Sequence, residues 1–183
     1  MVAMKEKRKT LLICTGIIII MSIWFIMYAG VMDTFFMLQL APVIVFGYAA
    51  MVFDLKTKLI PNGLVLAMLG VWLFTMTLKL FVDTDAAVRL LRDSILGFTI
   101  GGGLFLVVYI ISRKGLGGGD VKFMAAAGLY LGLGGTIPVI LYGTVLAAAT
   151  GGLLILLKKI GRKDAIPLAP FLFIGILITV FTL

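Results

Sequence analysis

Long apolar runs, each closed by a short polar stretch, recur along the whole chain. Seven are legible, over about residues 10–29, 35–53, 63–82, 94–112, 121–133, 137–157 and 166–182. Most approach the ~20 residues that a helix needs to cross a bilayer. The fifth is short, about 20 Å as helix, so it is either tilted or broken from the sixth at Gly132-Leu133-Gly134-Gly135. The pattern predicts an all-α polytopic membrane protein, a bundle of about six to seven transmembrane helices. The longest connection on its side of the membrane, 83–93, has room for a short interfacial helix. No internal repeat is visible. No small-residue cleavage site follows the first run, so it reads as an anchor and not as a removable signal.

Composition supports this picture. Of 183 residues, 62% are hydrophobic and only 13% charged, far from soluble usage. A soluble chain of this size could not bury every helix on all sides.

The net charge of +8 raises the question of a nucleic-acid partner, and its distribution argues against one. Lys5, Lys7, Arg8, Lys9, Lys56, Lys58, Arg113, Lys114, Lys122, Lys158, Lys159, Arg162 and Lys163 all fall on one side of the predicted membrane, 13 of the 16 basic residues. Lys79, Arg89 and Arg92 fall on the other, with Asp33, Asp83, Asp85 and Asp93. The positive-inside rule then places the N-terminus in the cytoplasm and the C-terminus outside. The basic side is suited to anionic lipid. It forms no aromatic-interleaved surface for nucleic acid.

Candidate chemistry is limited by what is missing. One cysteine, Cys14, and no histidine exclude an internal disulfide, a Cys-cluster zinc site and Ser-His or Cys-His catalysis. No metal or cofactor is expected. Of the eight acids, Glu6 and Asp164 sit in basic segments as solvated charges. Only Asp54 and Asp120 abut apolar helices on the basic side. Asp54 closes Val43–Phe53 and Asp120 opens Val121–Leu133, where a carboxylate is also a good cap. They are 66 residues apart in the chain yet at one predicted depth.

Glycine is concentrated between residues 97 and 152, which hold 15 of the 22. Gly97-x-x-x-Gly101, Gly128-x-x-x-Gly132, Ala125–Ala127 and Ala147–Ala149 read as small surfaces for close helix packing. Gly117-Gly118-Gly119 reads differently. It lies outside any good helix and costs conformational entropy, as where backbone turns sharply or approaches something closely.

Two carboxyls brought close cannot both ionise easily, so one keeps a proton. Such a pair hydrolyses an amide without metal or histidine: the charged member takes a proton from the attacking water, and the protonated one supports the carbonyl oxygen and the leaving amine. The titration belongs to the pair. Lys56, Lys58 and Lys122 lie within four residues of an aspartate. Pointing inward they favour both carboxylates charged. Otherwise they snorkel to headgroups, or Lys122 orients a neighbouring carbonyl or aspartate.

At these residues the chain resembles the type IV prepilin peptidase family. Gly117-Gly118-Gly119-Asp120-Val121-Lys122 is similar to its GxGD-type motif. The stretch Asp54-Leu55-Lys56-Thr57-Lys58-Leu59-Ile60-Pro61-Asn62 is similar to its first-aspartate segment. Ile166-Pro167-Leu168-Ala169-Pro170-Phe171-Leu172 resembles its late Pro-x-x-Pro-Phe element. The resemblance covers about residues 40–183. It implies a membrane aspartic endopeptidase of the cytoplasmic membrane with its site facing the cytoplasm. Such an enzyme removes the short basic leader of a pilin-like or archaellin-like precursor, typically after a glycine. Asp54 and Asp120 would be the catalytic pair. Gly117–Gly119, Lys122, Ile60, Pro61, Asn62, Pro167 and Pro170 would be supporting positions. Residues 1–34 would be a basic tail and anchor, and 35–183 the catalytic membrane core. The precursor's apolar helix would lie against the glycine-rich helices. Large members carry a domain with two CxxC pairs and methylate the product; with one cysteine, this chain looks like the short, peptidase-only form.

Two rival readings share the features. A presenilin-like GxGD intramembrane protease expects its first aspartate inside a span. An ion- or proton-coupled transporter expects acids near the membrane midplane, where the predicted spans place none.

Overall fold

A computed structural model describes residues 2–28, 34–112, 115–159, 161 and 166–182, with side chains described from Thr15 onward, Thr34 excepted. Asp33, Arg113, Lys114, Arg162, Lys163 and Asp164 lie outside the described residues, as do the side chains of Lys5 to Lys9 and of Cys14. The described residues form six helices: α1 (Val2–Tyr28), α2 (Thr34–Thr57), α3 (Asn62–Val82), α4 (Thr84–Ile111), α5 (Gly118–Leu156) and α6 (Ala169–Thr182). Four stretches, Phe35–Thr57, Asn62–Val82, Thr84–Ile111 and Gly118–Leu156, are long and apolar enough to cross a membrane, while Thr15–Tyr28 and Ala169–Thr182 are shorter apolar helices. The chain is an all-helical, multi-pass membrane protein.

α5 is too long for one crossing: 39 residues would extend about 58 Å if straight. It is broken at Gly132, whose φ of 62° and ψ of −172° suit a residue without a β-carbon. A β-carbon at Gly101 of α4 would lie 2.7 Å from the Met124 carbonyl and 3.2 Å from Thr136. A straight helix would hold Met124 and Thr136 about 18 Å apart. The chain therefore doubles back at Gly132, and the expected break between the fifth and sixth apolar runs is found there. The first limb (118–131) runs beside α4, the second (133–156) beside α6, where Gly143 meets Leu172 and Gly151 meets Ile166.

A helix broken inside an apolar bundle leaves backbone groups unpaired, which hydrocarbon does not tolerate. Side chains from three surrounding helices, and one from α5 itself, supply the partners. Trp72 Nε1 donates to the Leu129 carbonyl at 3.0 Å and Gln39 Nε2 to the Tyr130 carbonyl at 3.2 Å. Leu133 N donates to Asp93 Oδ1 at 3.2 Å, and Thr136 Oγ1 to the Gly132 carbonyl at 2.6 Å. Asp93 is thus a cap inside α4, not an acid in a connection. The 83–93 stretch holds no separate interfacial helix. Asp83 ends α3 and also caps α4, accepting from Ala86 N at 2.9 Å. From there α4 buries Ala87, Ser94, Gly97, Gly101 and Phe105. That helical spacing holds although Asp85, Arg89 and Arg92 occupy the other faces.

The first limb of α5 is the centre of the bundle, with Phe123, Met124, Ala126, Ala127 and Tyr130 all buried. Backbone touches backbone where it crosses α4: a β-carbon at Gly97 would be 2.2 Å from the Gly128 oxygen. Gly97, Gly101 and Gly128 therefore do serve helix packing, as expected. By the same fact they are enclosed and offer no surface to a partner helix. Ala148 and Ala149, by contrast, are exposed, with Ala147 half-buried.

The described charges separate by end. Lys56, Lys58, Lys122, Lys158 and Lys159 lie at the end where α2 finishes and α5 begins. Lys79, Arg89 and Asp93 gather at the other, around Phe35 and Gln39.

Candidate active site

Asp54 stands one turn before the end of α2. The helix stops because Lys58 adopts a left-handed φ of 53° and returns its amide to the Asp54 carbonyl at 2.8 Å, the single-bond form of a left-handed cap. The Asp54 side chain is 5% exposed. Its Oδ2 accepts a hydrogen bond at 2.9 Å from the backbone N of Ala169, 115 residues away. Beyond Lys58 the chain crosses to α3. Ile60 turns inward and is buried. Pro61, with φ −68° and ψ 140°, is the N-cap of α3 and Asn62 its first residue.

Asp120 stands in the first turn of α5. Gly117 is the N-cap, with φ −69° and ψ 134°, and the Asp120 carboxylate folds back to lie against it. An acidic residue at this third helical position takes the place of the reach-back member of a capping box. The glycine run is not outside a helix, since Gly118 and Gly119 belong to the first turn. Nor does it turn sharply; Gly132 is the described glycine with positive φ. The run serves close approach. A β-carbon at Gly119 would meet Ile60 Cβ at 3.0 Å and Ile60 N at 3.2 Å, and one at Gly117 would meet Asp120 Oδ2 at 2.8 Å.

These contacts bring the two aspartate-bearing segments together. Gly119 lies on Ile60, and Lys122 Nζ donates to Asn62 Oδ1 at 3.0 Å. Asp120 is 8% exposed and within electrostatic reach of Asp54. Its Oδ1 is buried with no hydrogen-bond partner among the described residues. Lys122 thus bonds the Asn62 side chain and neither aspartate, and it is exposed, as are Lys56 and Lys58. An open groove of about 690 Å³ lies between Phe53, Leu59 and Pro61 on one bank and Gly118, Gly119 and Lys122 on the other; its lining comes from the segments that carry the two aspartates and not from the buried aspartates themselves. Among the described residues, no three His, Cys, Asp or Glu side chains gather where they could hold a metal ion.

Pro167 and Pro170 flank the third component. Residues 166–168 are non-helical and α6 starts at Ala169, shortening the expected 166–182 span. Pro170 lies in the first turn, where a missing N–H costs nothing. The Leu168 carbonyl accepts from Phe171 N at 3.0 Å and Leu172 N at 3.2 Å. The Ala169 amide is left for Asp54. Sequence reasoning passed over Ala169, although a proline one residue later is a signal for a helix start.

Residues 41–152 match the type IV leader peptidase family. A prepilin leader peptidase/N-methyltransferase of Xanthomonas campestris is 30% identical over 67% of this chain and 42% of its own length. One of Legionella pneumophila is 33% identical over 70% of the chain and 44% of its own. One of Bacillus subtilis is 28% identical over 75% and 54%. The chain spans about half the length of these curated relatives. No solved structure matches it.

Proposed function

The chain belongs to the type IV leader peptidase family, and from that premise we propose that it is a membrane aspartic endopeptidase. Its substrate is a pilin-like or archaellin-like precursor with a short basic leader and an adjoining apolar helix. Asp54 and Asp120 are the catalytic pair. One observation carries the reading: two buried carboxylates from distant segments lie within electrostatic reach of each other, and the segments that carry them line one groove.

The chemistry follows from their closeness. Amide hydrolysis by two carboxyls needs one of them ionised and the other protonated. The ionised member takes a proton from water as its oxygen bonds to the scissile carbonyl carbon. The protonated member hydrogen-bonds the carbonyl oxygen, and a proton reaches the amine as the C–N bond breaks. Burial keeps bulk water from the pair and strengthens each of these interactions.

The basic residues at the aspartate end support a cytoplasmic site in the cytoplasmic membrane by the positive-inside rule. The precursor helix then stays in the bilayer while its cut site enters the groove between Leu59–Asn62 and Gly118–Lys122. The family match begins in α2, which supports residues 35–183 as the catalytic core and 1–34 as anchor.

Co-expression of the full chain with candidate precursors tests this reading. Loss of the leader, seen by gel shift and intact mass, is expected for at least one precursor; none cut would refute it. A cysteine placed at Lys58 should react with an impermeant thiol reagent from the cytoplasmic side alone, and labelling from outside would overturn the orientation.

A further inference from the structure

We propose that the first turn of α6 is a working part of the site, and that the Ala169 amide is a positioning group which fixes the Asp54 carboxylate against Asp120. The proposal rests on the two-aspartate peptidase reading above.

The bond joins two buried groups. Ala169 is 0% and Asp54 5% exposed, and the N···Oδ2 distance is 2.9 Å. The opening amides of a helix have no partner within it, and they carry the positive end of its dipole. Here the local sequence offers Ala169 to the carboxylate. Pro167 and Pro170 have no N–H of their own, and the amides of Phe171 and Leu172 are taken by Leu168.

The donor cannot drift, because α6 is held along its length. A β-carbon at Gly175 would lie 2.7 Å from the Val139 carbonyl, one at Gly143 2.9 Å from Leu172, and one at Gly47 3.0 Å from Phe173. Backbone-close packing of this kind admits little sliding. The amide at the head of α6 therefore reports a fixed point to Asp54.

Holding Oδ2 restrains the rotation of the carboxylate about its Cβ–Cγ bond, and so the direction of its other oxygen. Asp54 is thus set by a backbone donor at the start of another helix, whereas the Asp120 carboxylate lies against Gly117 at the start of its own. The Ala169 N–H is already given to Asp54 Oδ2, so the amide acts through that carboxylate and not on the substrate.

A plain structural role, with Asp54 merely capping α6, makes a different prediction, and kinetics separate the two. The full chain in lipid nanodiscs is assayed on a cleavable precursor as wild type, Ala169→Pro and Ala169→Gly. Proline removes the N–H but suits the first helical turn; glycine keeps the N–H and removes only the methyl. Ala169→Pro should lower kcat roughly ten- to a hundred-fold, the worth of a hydrogen bond to a charged group, with KM within about two-fold as expected for loss of a transition-state interaction. Ala169→Gly should stay near wild type. If Ala169→Pro does not fold, lactate incorporated in place of Ala169 exchanges the N–H for an ester oxygen without the ring, and the same fall in kcat is expected. Equal loss in the glycine variant, a rise in KM with kcat unchanged, or full activity without the N–H would overturn the proposal while leaving the peptidase reading intact. Absence of cleavage by wild type with every precursor would overturn both.

Discussion

Substituting each glycine of the Gly117–Gly119 run by alanine gives three different expectations from three neighbouring positions. At Gly117 the new β-carbon lies 2.8 Å from Asp120 Oδ2. The contact is with the end of a side chain, so the carboxylate turns and the backbone stays. Restoring an ordinary separation moves that oxygen by about half an ångström. Misplacement of about 1 Å costs roughly a hundred-fold, so about ten-fold is expected in kcat, with little change in stability. At Gly118 the nearest atom is 3.9 Å away, on Tyr109. No protein atom is displaced, so kcat should be the least affected of the three and any loss should appear in KM, because Gly118 borders the groove; replacing glycine within a helix should add up to about 1 kcal/mol of stability. At Gly119 the β-carbon presses on Ile60 at 3.0 Å and on its amide nitrogen at 3.2 Å. The segment leading to Asn62 must yield by a few tenths of an ångström. Activity should fall a few-fold, and stability by about 1 kcal/mol, the lower end for overpacking. Initial cleavage rates and thermal unfolding of the three purified variants check this together. Equal effects at all three positions would refute the reasoning. So would a Gly117→Ala defect that merely follows a fall in Tm.

The remaining predictions concern how the site is assembled. Lys122→Ala and Asn62→Ala should each reduce cleavage, and the double variant should be no worse than the poorer single, a coupling of about 1 kcal/mol for one shared hydrogen bond. Additive losses in that double-mutant cycle would deny the pairing. Gly97→Ala should cost about 3 kcal/mol or more in unfolding measurements, because its β-carbon would sit 2.2 Å from backbone oxygen. Gly103→Ala, with nothing within 4 Å, should cost nothing. Asp93→Ala leaves the Leu133 amide without its acceptor inside the bundle and should lower stability by about 1–3 kcal/mol, read as a shift in Tm; no shift would remove Asp93 as the cap of the α5 break.

Much of the bundle was legible because crossing a bilayer demands length and apolarity, and both are written in runs. The break at Gly132 was legible for a similar reason, since three glycines in four residues cannot hold an unstrained span. The start of α4 was not. Asp85, Arg89, Arg92 and Asp93 look like a connection, yet they occupy the outer faces and the cap position of a helix whose buried face is Ala87, Ser94 and Gly97. Charge density masked helical spacing there. Asp93 then passed for a loop acid, although the α5 break it caps needs an acceptor at that point. An acid inside a span is also what a transporter would need, but this one is committed to the Leu133 amide.

In the site, both aspartates and their flanking motifs were readable from residue types. The Ala169 donor was not, because a backbone amide leaves no residue signature of its own. The Asn62 partner of Lys122 was not legible either, because it depends on the close approach of Gly119 to Ile60, which brings the two segments side by side.

The pair itself is tested most directly by measuring cleavage of one precursor by Asp54→Asn and by Asp120→Asn, each shown to be folded in the membrane by its unfolding transition. Asparagine keeps the shape and removes the acid. Each variant should leave the precursor at full mass under conditions where the wild type removes the leader completely. Substantial cleavage by either one would contradict a two-aspartate mechanism.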